Sequence, residues 1–334
     1  MKHINVALFV VHKGCPHMCS FCNQRSISGS QKDISAKDVH DAVKTAVDSL
    51  TQSEAAGGEI AFFGGSFTMI ERSYMLSLLE AAYGYVEKGI FKGIRISTRP
   101  DGIDREICDI LKKYGVTAVE LGAQSLDDRV LGMNERGHTA KQVEDACTML
   151  KEYGFETGLQ MMTGLYGSAD ADSIETAEKI VRLAPDTVRI YPTVVLKGTR
   201  LYELMKSGEF VPVGIEETVE LCAKLIPMFE NAGIKVIRVG LHSGGGVDEG
   251  FAGGAYHPAL RELCEGRIYY NTALGELEKL GKGSYVISVN GREISKMTGQ
   301  KKQNLIRLAQ AGYECRVVGK DSLQKGEIEI EVIR

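Results

Sequence analysis

The stretch of sequence that decides the fold covers residues 4–22 and reads INVALFVVHKGCPHMCSFC. Its first eight residues are almost all apolar, as is typical of a strand buried on both faces of a parallel sheet. The cysteines Cys15, Cys19 and Cys22 follow directly in the next loop. Because functional residues of α/β folds lie where strands end, this stretch predicts an α/β fold with a cysteine site after its first strand.

Beyond this stretch, short apolar runs alternate with longer stretches of helical spacing as far as residue 242. The predicted strands are 4–11, 59–63, 93–98, 118–123, 156–162, 187–195 and 234–241. The predicted helices are 35–52, 72–88, 104–114, 140–153, 172–183 and 215–232. Six strand–helix units in succession predict parallel strands joined by right-handed crossovers. We therefore expect a partial (β/α)6 barrel of the TIM-barrel type.

The composition is typical of a globular protein and excludes the disordered and collagen-like classes. The 334 residues are 43% hydrophobic and 25% charged, and the net charge of −4 does not by itself indicate a nucleic-acid partner. The apolar run at the N-terminus is shorter than the roughly 20 residues that a membrane span needs, and it lacks a small-residue cleavage site. With eight cysteines and no secretion signal, we expect reduced thiols, a cytoplasmic location and no membrane association.

Residues 243–334 form a predicted extension after a barrel of residues 1–242. The extension begins with the glycine-rich loop SGGGVDEGFAGGAYHP, continues as a helix near 259–280 and ends in a small α+β subdomain. Residues 281–334 carry ten Lys and Arg against six Asp and Glu, a net charge of +4, which leaves −8 for the rest of the chain. This basic segment points to an anionic substrate or RNA, although a solvated face of a small packing subdomain explains the same charges.

The three clustered cysteines stand four and three residues apart, so one tight loop can point all three sulfurs at one metal centre. Thiolates select zinc or an iron–sulfur cluster, and structural zinc would need a second pair of ligands that does not follow downstream. Three sulfurs on a four-iron cluster leave one iron open for chemistry. The other cysteines are interpreted as small buried hydrophobic residues or bystanders: Cys108, Cys147, Cys222, Cys264 and Cys315.

The pattern Cys-x-x-x-Cys-x-aromatic-Cys after the first strand, with Phe21 as the aromatic residue, resembles the radical S-adenosylmethionine (SAM) superfamily. The resemblance implies a 4Fe-4S cluster on Cys15, Cys19 and Cys22, with SAM on the open iron. It also implies reductive cleavage of SAM to a 5′-deoxyadenosyl radical that abstracts hydrogen from the substrate, with a ferredoxin or flavodoxin as the reductant. In such enzymes the cofactors supply the reactivity and the protein supplies orientation.

The ends of the second and third predicted strands carry the first candidate SAM contacts. Gly64, Gly65 and Ser66 end the second strand, and by the resemblance the Gly-Gly pair receives the amino group of SAM. Ser97 and Arg99 end the third strand, where a buried polar group needs a partner. Arg99 pairs either with a carboxylate of the ligand or, as part of the scaffold, with the aspartate two residues later.

The fourth and fifth strands supply the other candidates. Glu120 and Gln124 are four residues apart, so they share one face of an extended strand and are expected to point inward together. Arg136 lies in the following segment NERGHT, where His138 is expected to cap the next helix. Met162, in the fifth strand, packs on the adenine or fills the core. By the resemblance, Gln124, Arg136 and Met162 are candidate SAM contacts.

Longer phrases, STRPD, VELGAQS, NERGHT, RIYPTVVLKGTRLYELMKSGEF and YHPALREL, resemble the radical SAM region of the catalytic subunit of Elongator, which modifies wobble uridines in tRNA. The likeness covers roughly residues 1–270. That subunit spaces its first two cysteines more widely, whereas the short spacing here matches relatives such as oxygen-independent coproporphyrinogen oxidases. Only about 90 residues follow the seventh predicted strand, too few for the acetyltransferase domain of the subunit. The resemblance therefore implies a stand-alone radical SAM protein without acetyl-CoA chemistry.

Three functions remain open from the sequence. The first is modification of RNA or a nucleoside, with the basic residues Lys296, Lys301, Lys302 and Arg307 touching phosphates. The second is radical chemistry on a small metabolite or a peptide. The third is an iron–sulfur protein without SAM turnover, which the Gly-Gly pair argues against because such a protein needs no site for the amino group of a ligand.

Overall fold

The computed structural model describes residues 4–10, 13–16, 18–23, 33–242 and 245–333. The chain divides into two compact units, which we call the half-barrel and the C-terminal unit. The half-barrel comprises Met1–Val213 and Met228–Tyr256, and the C-terminal unit comprises Gly214–Pro227 and His257–Arg334. The expected division after residue 242 is a different boundary and stays a prediction.

The half-barrel is built on one sheet of seven parallel strands. The strands of this unit are β1 Asn5–Phe9, β2 Glu59–Phe63, β3 Gly93–Thr98, β4 Val116–Gln124, β5 Glu156–Thr163, β6 Thr187–Pro192, β7 Val194–Leu196, β8 Lys235–Val239 and β9 Phe251–Gly254. Of these, β7 and β9 lie outside the seven-stranded sheet. The seven-stranded sheet has the order β1-β2-β3-β4-β5-β6-β8, and its neighbouring strands are all parallel. This curled sheet with helices confirms the predicted partial α/β barrel.

Helices follow the strands as the alternation of periodicities predicts. They are α1 Ala36–Ser49, α2 Gln52–Gly57, α3 Arg72–Glu87, α4 Arg105–Lys113, α5 Asp128–Met133, α6 Ala140–Glu152, α7 Asp170–Leu183, α8 Arg200–Ser207, α9 Ile215–Asn231 and α10 Gly245–Gly250. Side chains fix where they begin: the hydroxyls of Ser35 and Thr139 accept from backbone amides and open α1 and α6 with capping boxes. Among the described helices, none is long and apolar enough to cross a bilayer.

The predicted sixth strand, residues 187–195, is two strands in the structure. The strand β6 ends at Pro192, and β7 pairs antiparallel with β9 outside the main sheet. Proline has no backbone N–H to donate to a sheet ladder, and the next amide, of Thr193, donates to the Thr163 carbonyl at 2.9 Å. The apolar run continues through this turn, so periodicity alone could not reveal the break. The first strand is also shorter than predicted, and its last predicted residue, Val11, lies outside the described residues.

The C-terminal unit is an α+β structure, as predicted for the end of the chain. Its own elements are α11 Leu260–Leu280, β10 Gly283–Val289, α12 Ile294–Thr298, α13 Gln303–Gln310, β11 Tyr313–Gly319 and β12 Ile328–Val332. The sheet order is β11-β10-β12, with β10 parallel to β11 and antiparallel to β12. Leu277, Ile287, Met297 and Leu308 are fully buried in its apolar core.

Candidate functional site

The cysteine loop after β1 is fixed by hydrogen bonds from residues far away in the sequence. The Cys22 amide donates to the Cys19 carbonyl at 3.0 Å and closes a tight turn. Inside this turn, the Ser20 amide donates to the Asn134 carbonyl at 3.1 Å, and the Ser20 hydroxyl donates to the Asn134 side-chain oxygen at 2.8 Å. The Leu201 amide donates to the Ser20 carbonyl at 2.7 Å. Cys19 is therefore held in a buried position.

Arg136 brings positive charge to the cysteine sulfurs. Its Nη1 donates to the Cys19 Sγ at 3.3 Å, and its Nη2 donates to the Gly122 carbonyl at 2.6 Å. Burial raises the pKa of the Cys15 thiol, while Arg136 and Arg99 act in the opposite direction. A cation beside a thiol stabilises the thiolate, which is the form that binds metal.

The Gly64-Gly65 turn and the cysteine loop pack backbone against backbone. Both glycines have left-handed φ angles, +82° and +56°. A Cβ on Gly65 would lie 2.9 Å from the Val10 carbonyl oxygen and closer still to that of Lys13. The Ser66 amide donates to the same Lys13 carbonyl at 2.9 Å. Only glycine permits this close approach of the two backbones. The two loops that the sequence singled out therefore lie side by side in the structure.

Arg99 is held between neighbouring loops of the half-barrel. Its Nε and Nη2 donate to the two carboxylate oxygens of Asp101, each at 2.8 Å, and its Nη1 donates to the Arg136 carbonyl at 2.7 Å. Its backbone amide donates to the Ser66 hydroxyl at 3.2 Å, and that hydroxyl lies 2.9 Å from the Thr98 hydroxyl. Of the two alternatives for Arg99, the structure contains the pair with Asp101. Contacts of Ser66 and Arg99 with SAM stay predictions.

Gln124 and Arg136 converge on Gly122 at the end of β4. A Cβ placed on Gly122 would lie 2.9 Å from the Gln124 Nε2 and 2.7 Å from the Arg136 Nη2. Gln124 has a left-handed φ of +65°, which is uncommon for a residue with a side chain and often marks a functional site. Two of the predicted contacts therefore lie side by side near the cysteine loop.

The other candidate residues have their own contacts in the half-barrel. Ser97 is buried on β3, with its hydroxyl 3.5 Å from the Gln160 Nε2. Met162 is half-buried on β5. Phe21 packs against a small apolar cluster that includes Val195. The contacts of these three side chains with SAM stay predictions.

His138 is a buried side chain whose role the sequence did not reveal. Thr139 caps α6, so the expectation that His138 caps this helix is wrong. The His138 Nε2 lies 3.2 Å from the Ala123 carbonyl, an acceptor, so we assign the proton to Nε2 and leave Nδ1 as an acceptor. Burial, together with Arg136 and Arg99, lowers the pKa of His138 to about 3. The imidazole is therefore neutral at pH 7.

Two buried atoms of the segment after β4, Arg136 Nε and His138 Nδ1, have no hydrogen-bond partner among the described residues. Buried polar atoms normally have one, so these two fit a bound ligand. In the same described parts of the chain, no group of three or more His, Cys, Asp or Glu side chains is arranged to hold a metal ion. The chemistry of the site nevertheless fits an iron–sulfur group, because thiols on one loop face Arg136 and adjoin a glycine cradle.

A network of buried charges crosses one face of the sheet. Arg95 donates to Glu59 at 2.7 Å, to Glu120 at 3.4 Å and to Glu156 at 2.7 Å. Glu120 also accepts from the Nε and Nη2 of Arg189, at 2.5 and 2.7 Å. Of these residues the sequence singled out only Glu120. The missed signal is a charged residue inside an otherwise apolar strand, because such a residue is costly to bury unless it is paired or used.

Known proteins resemble a large part of this chain. The family description "Radical SAM superfamily" matches residues 9–180, and "Radical_SAM C-terminal domain" matches residues 185–270. The tRNA uridine(34) acetyltransferase of Methanocaldococcus infernus is 38% identical over 133 residues, 38% of this chain and 24% of that protein. Elongator complex protein 3 of Homo sapiens is 31% identical over 191 residues, 51% of this chain and 35% of that protein.

A solved structure shares the fold. The archaeal Methanocaldococcus infernus Elp3 with an N-terminal deletion superposes with a TM-score of 0.62 at 23% identity, covering 82% of this chain and 63% of that one. The two curated relatives are matched over only 24% and 35% of their length. The likeness therefore concerns one part of those larger proteins.

Proposed function

The chain belongs to the radical SAM superfamily, and from this premise we propose that it is a radical SAM enzyme that holds a 4Fe-4S cluster and S-adenosylmethionine. When bound, the two groups together supply a 5′-deoxyadenosyl radical that abstracts hydrogen from a substrate. Cys15, Cys19 and Cys22 are the residues that would hold the cluster. The observation that supports this most directly is the contact of Arg136 with the Cys19 sulfur at 3.3 Å, on a loop that interlocks with Gly64-Gly65.

The chain's own side chains would serve this site in distinct ways. Arg136 would balance the negative charge of the thiolates, while the Asp101 carboxylate fixes the position of the Arg99 guanidinium. The Gly64-Gly65 turn would offer backbone carbonyls to the amino group of SAM. The proposed SAM contacts as a whole are Phe21, Gly64, Gly65, Ser66, Ser97, Arg99, Gln124, Arg136 and Met162.

RNA is the substrate class that we favour. One relative is named a tRNA uridine(34) acetyltransferase, which points to tRNA or a nucleoside within it. Acetyl transfer is left out of the proposal, because this relative is matched over only 24% of its length. A ferredoxin or flavodoxin as reductant and a cytoplasmic location belong to the same proposal.

The C-terminal unit offers a basic groove for such a substrate. Arg292, Lys301 and Lys302 line a groove of about 610 Å³ together with Glu262. All three cations are exposed, and no described carboxylate forms an ion pair with them. A groove with a surplus of positive charge suits the phosphates of a nucleic acid.

Two of the four expected phosphate contacts are already paired inside the C-terminal unit. The Lys296 ammonium pairs with Glu265 at 2.9 Å and with Glu293 at 2.7 Å. The Arg307 guanidinium pairs with Glu216 at 2.9 Å. We therefore keep only Lys301 and Lys302 of that set and add Arg292.

Anaerobic reconstitution tests the proposed activity. The protein is loaded with iron and sulfide, reduced with dithionite and incubated with SAM, and 5′-deoxyadenosine is quantified. We expect the product with the wild-type chain and with Cys315→Ala, which removes a cysteine on β11, and no product with Cys19→Ala. Equal product from Cys19→Ala would refute the proposal. A wild-type chain that forms the cluster but no product would favour the iron–sulfur protein without SAM turnover.

The substrate class is tested by adding cell fractions to the same reaction. A tRNA fraction should raise the yield of 5′-deoxyadenosine, since substrate draws the radical chemistry forward. If only a fraction of small metabolites or peptides does so, the second alternative replaces RNA.

A further inference from the structure

The carboxyl ends of β6 and β8 carry a group of donors that the cysteine site does not use. Arg189 and Arg238 are partners in the parallel register of these strands. Tyr191 follows Arg189 by two residues, so its side chain lies on the same face of the sheet. His242 follows the end of β8 by three residues, and burial together with the charges of Arg238 and Arg189 lowers the pKa of its imidazole. The strands β6 and β8 thus place one arginine pair and one phenol together, and the chain carries an imidazole shortly after β8.

Arg189 has its carboxylate partner within the sheet. Glu120 accepts from its Nε at 2.5 Å and from its Nη2 at 2.7 Å. Although burial opposes its charge, the neighbouring Tyr191 and Glu120 raise the pKa of Arg189. Glu120 also accepts from Gln160 at 3.2 Å and from Arg95 at 3.4 Å. Both oxygens of Glu120 are thus engaged with groups other than Arg238.

Arg238 differs from Arg189, because no carboxylate in the described part of the chain pairs with it. Its Nε donates to the Gly240 carbonyl at 3.0 Å, and its Nη1 and Nη2 reach no acceptor among the described residues. Burial lowers the pKa of Arg238 and Arg189 adds to this effect, but a guanidinium keeps its charge in proteins. Arg238 is therefore a half-buried surplus cation with four N–H groups available.

From this arrangement we infer that Arg238, with Tyr191 and His242, binds a phosphate group of the substrate. The inference rests on the proposed RNA or nucleoside substrate and specifies how that substrate is held. A guanidinium can donate two parallel hydrogen bonds to phosphate oxygens. Burial raises the pKa of Tyr191, so its phenol keeps a proton to donate, and the neutral His242 has one N–H. A phosphate has enough oxygens to accept from all three side chains.

Inorganic phosphate is the probe, and the cluster-reconstituted protein is the sample. Calorimetry measures the unfolding temperature as phosphate replaces chloride at constant ionic strength, and the rise gives a dissociation constant by mass action. We expect Arg238→Gln to weaken phosphate binding about tenfold to hundredfold. Arg182→Gln, which changes an exposed arginine on α7, should bind phosphate like the wild type and so reports the general salt effect. If Arg238→Gln does not fold, Arg238→Lys replaces it, with a smaller loss expected because the planar fork is gone.

Several outcomes would overturn the inference. The wild type binds no phosphate, or Arg182→Gln loses as much affinity as Arg238→Gln. Acetate at the same ionic strength binds as strongly as phosphate and is lost in the same variant, which indicates a carboxylate subsite. Arg238→Gln loses SAM in equilibrium dialysis but keeps phosphate, which assigns Arg238 to SAM. None of these measurements requires turnover, so they stand apart from a failure of the wild type to form 5′-deoxyadenosine.

Discussion

The half-barrel buries charged residues, whereas the C-terminal unit builds an apolar core and leaves most of its ion pairs partly exposed. Arg95, Glu59 and Glu120 are at most 2% exposed, and Arg95 pairs with both carboxylates. The pair of Arg307 and Glu216 is 25% and 68% exposed. Charges are costly to bury unless they are paired, and those of the half-barrel are paired.

The two units also differ in the side chains that their strands carry. In the half-barrel, the inward faces of β3, β4 and β6 carry Arg95, Glu120 and Arg189, and the loops at their carboxyl ends carry the proposed cofactor site. In the C-terminal unit, the strand β10 directs Tyr285, Ile287 and Val289 into an apolar core. The seven-stranded sheet therefore adjoins the proposed cofactor site, whereas the three-stranded sheet of the C-terminal unit packs on an apolar core.

Breaking the buried network should have the largest effect on stability. Arg95→Met leaves Glu59 and Glu120 without their shared partner, so we expect it to lower the free energy of unfolding by about 3–5 kcal/mol. Arg307→Met removes a cation from a more exposed pair and should cost about 1 kcal/mol or less. Urea unfolding at pH 7 measures both. Equal losses would mean that the two units treat their charges alike.

The close contact between the glycine turn and the cysteine loop should have the next largest effect. Gly65→Ala forces a side chain into a left-handed conformation and against the Lys13 carbonyl, at a cost of about 2–4 kcal/mol. In the C-terminal unit, Gly326→Ala has the same conformational strain at φ +87° but no neighbour within 4 Å, so it should cost only about 1–2 kcal/mol.

Reconstitution separates a local effect of Gly65→Ala from general instability. Visible absorbance after loading with iron and sulfide should fall for Gly65→Ala, because the displaced loop carries the proposed ligands. It should match the wild type for Gly326→Ala. A Gly65→Ala protein with full absorbance would show that the two loops need not interlock.

Much of the half-barrel followed from the sequence, because strands buried on both faces are nearly continuous apolar runs. The carboxyl ends of neighbouring parallel strands meet at one edge, which is why the loop of Cys19 and the turn of Gly65 could be expected side by side. The break after Pro192 was missed because the apolar run continues beyond it, although a proline inside a strand pattern is itself a signal.

The pairing of charges could not be predicted, because it depends on contacts between residues far apart in the chain. Lys296 and Lys301 look alike in the sequence, yet Lys296 pairs with Glu265 from another helix and Lys301 faces a groove. The same holds for Arg95 and Glu59, which meet only when β2 and β3 pair. Local pattern predicts elements, whereas tertiary contact decides which charges remain available.

The buried His138 gives the half-barrel a pH dependence of its own. Its pKa is about 3 in the folded protein and about 6.5 in an unfolded chain, so the unfolded state binds the extra proton between these values. The free energy of unfolding should fall by up to about 1.4 kcal/mol per pH unit as the pH drops from about 6.5 towards 3. His138→Gln should remove this part of the slope in urea unfolding at several pH values.

The neighbouring Thr139 supplies the control for this slope. Thr139→Ala removes the cap of α6 and should lower stability by about 1 kcal/mol at every pH, with the wild-type slope retained. If His138→Gln keeps the full slope, the protons are taken up elsewhere. The pH dependence of the free energy of unfolding would then not come from His138.

The smallest expected effect concerns the exposed charges of the C-terminal unit. If Lys301 and Lys302 contact phosphates, each contributes about 0.7–0.9 to the slope of log affinity against log salt. The double variant Lys301→Ala with Lys302→Ala should therefore bind a tRNA fraction with a slope that is shallower by about 1.5. Filter binding at several salt concentrations measures this slope.

Lys224→Ala is the matched control, because it removes an exposed lysine of the same unit that does not line the groove. It should leave the slope unchanged, and Lys296→Ala should do so as well, since that ammonium is held by Glu265 and Glu293. If all the lysine variants lower the slope equally, the contribution comes from net charge and the groove has no special part. If only the double variant does, the unpaired cations Lys301 and Lys302 contact the phosphates of the tRNA.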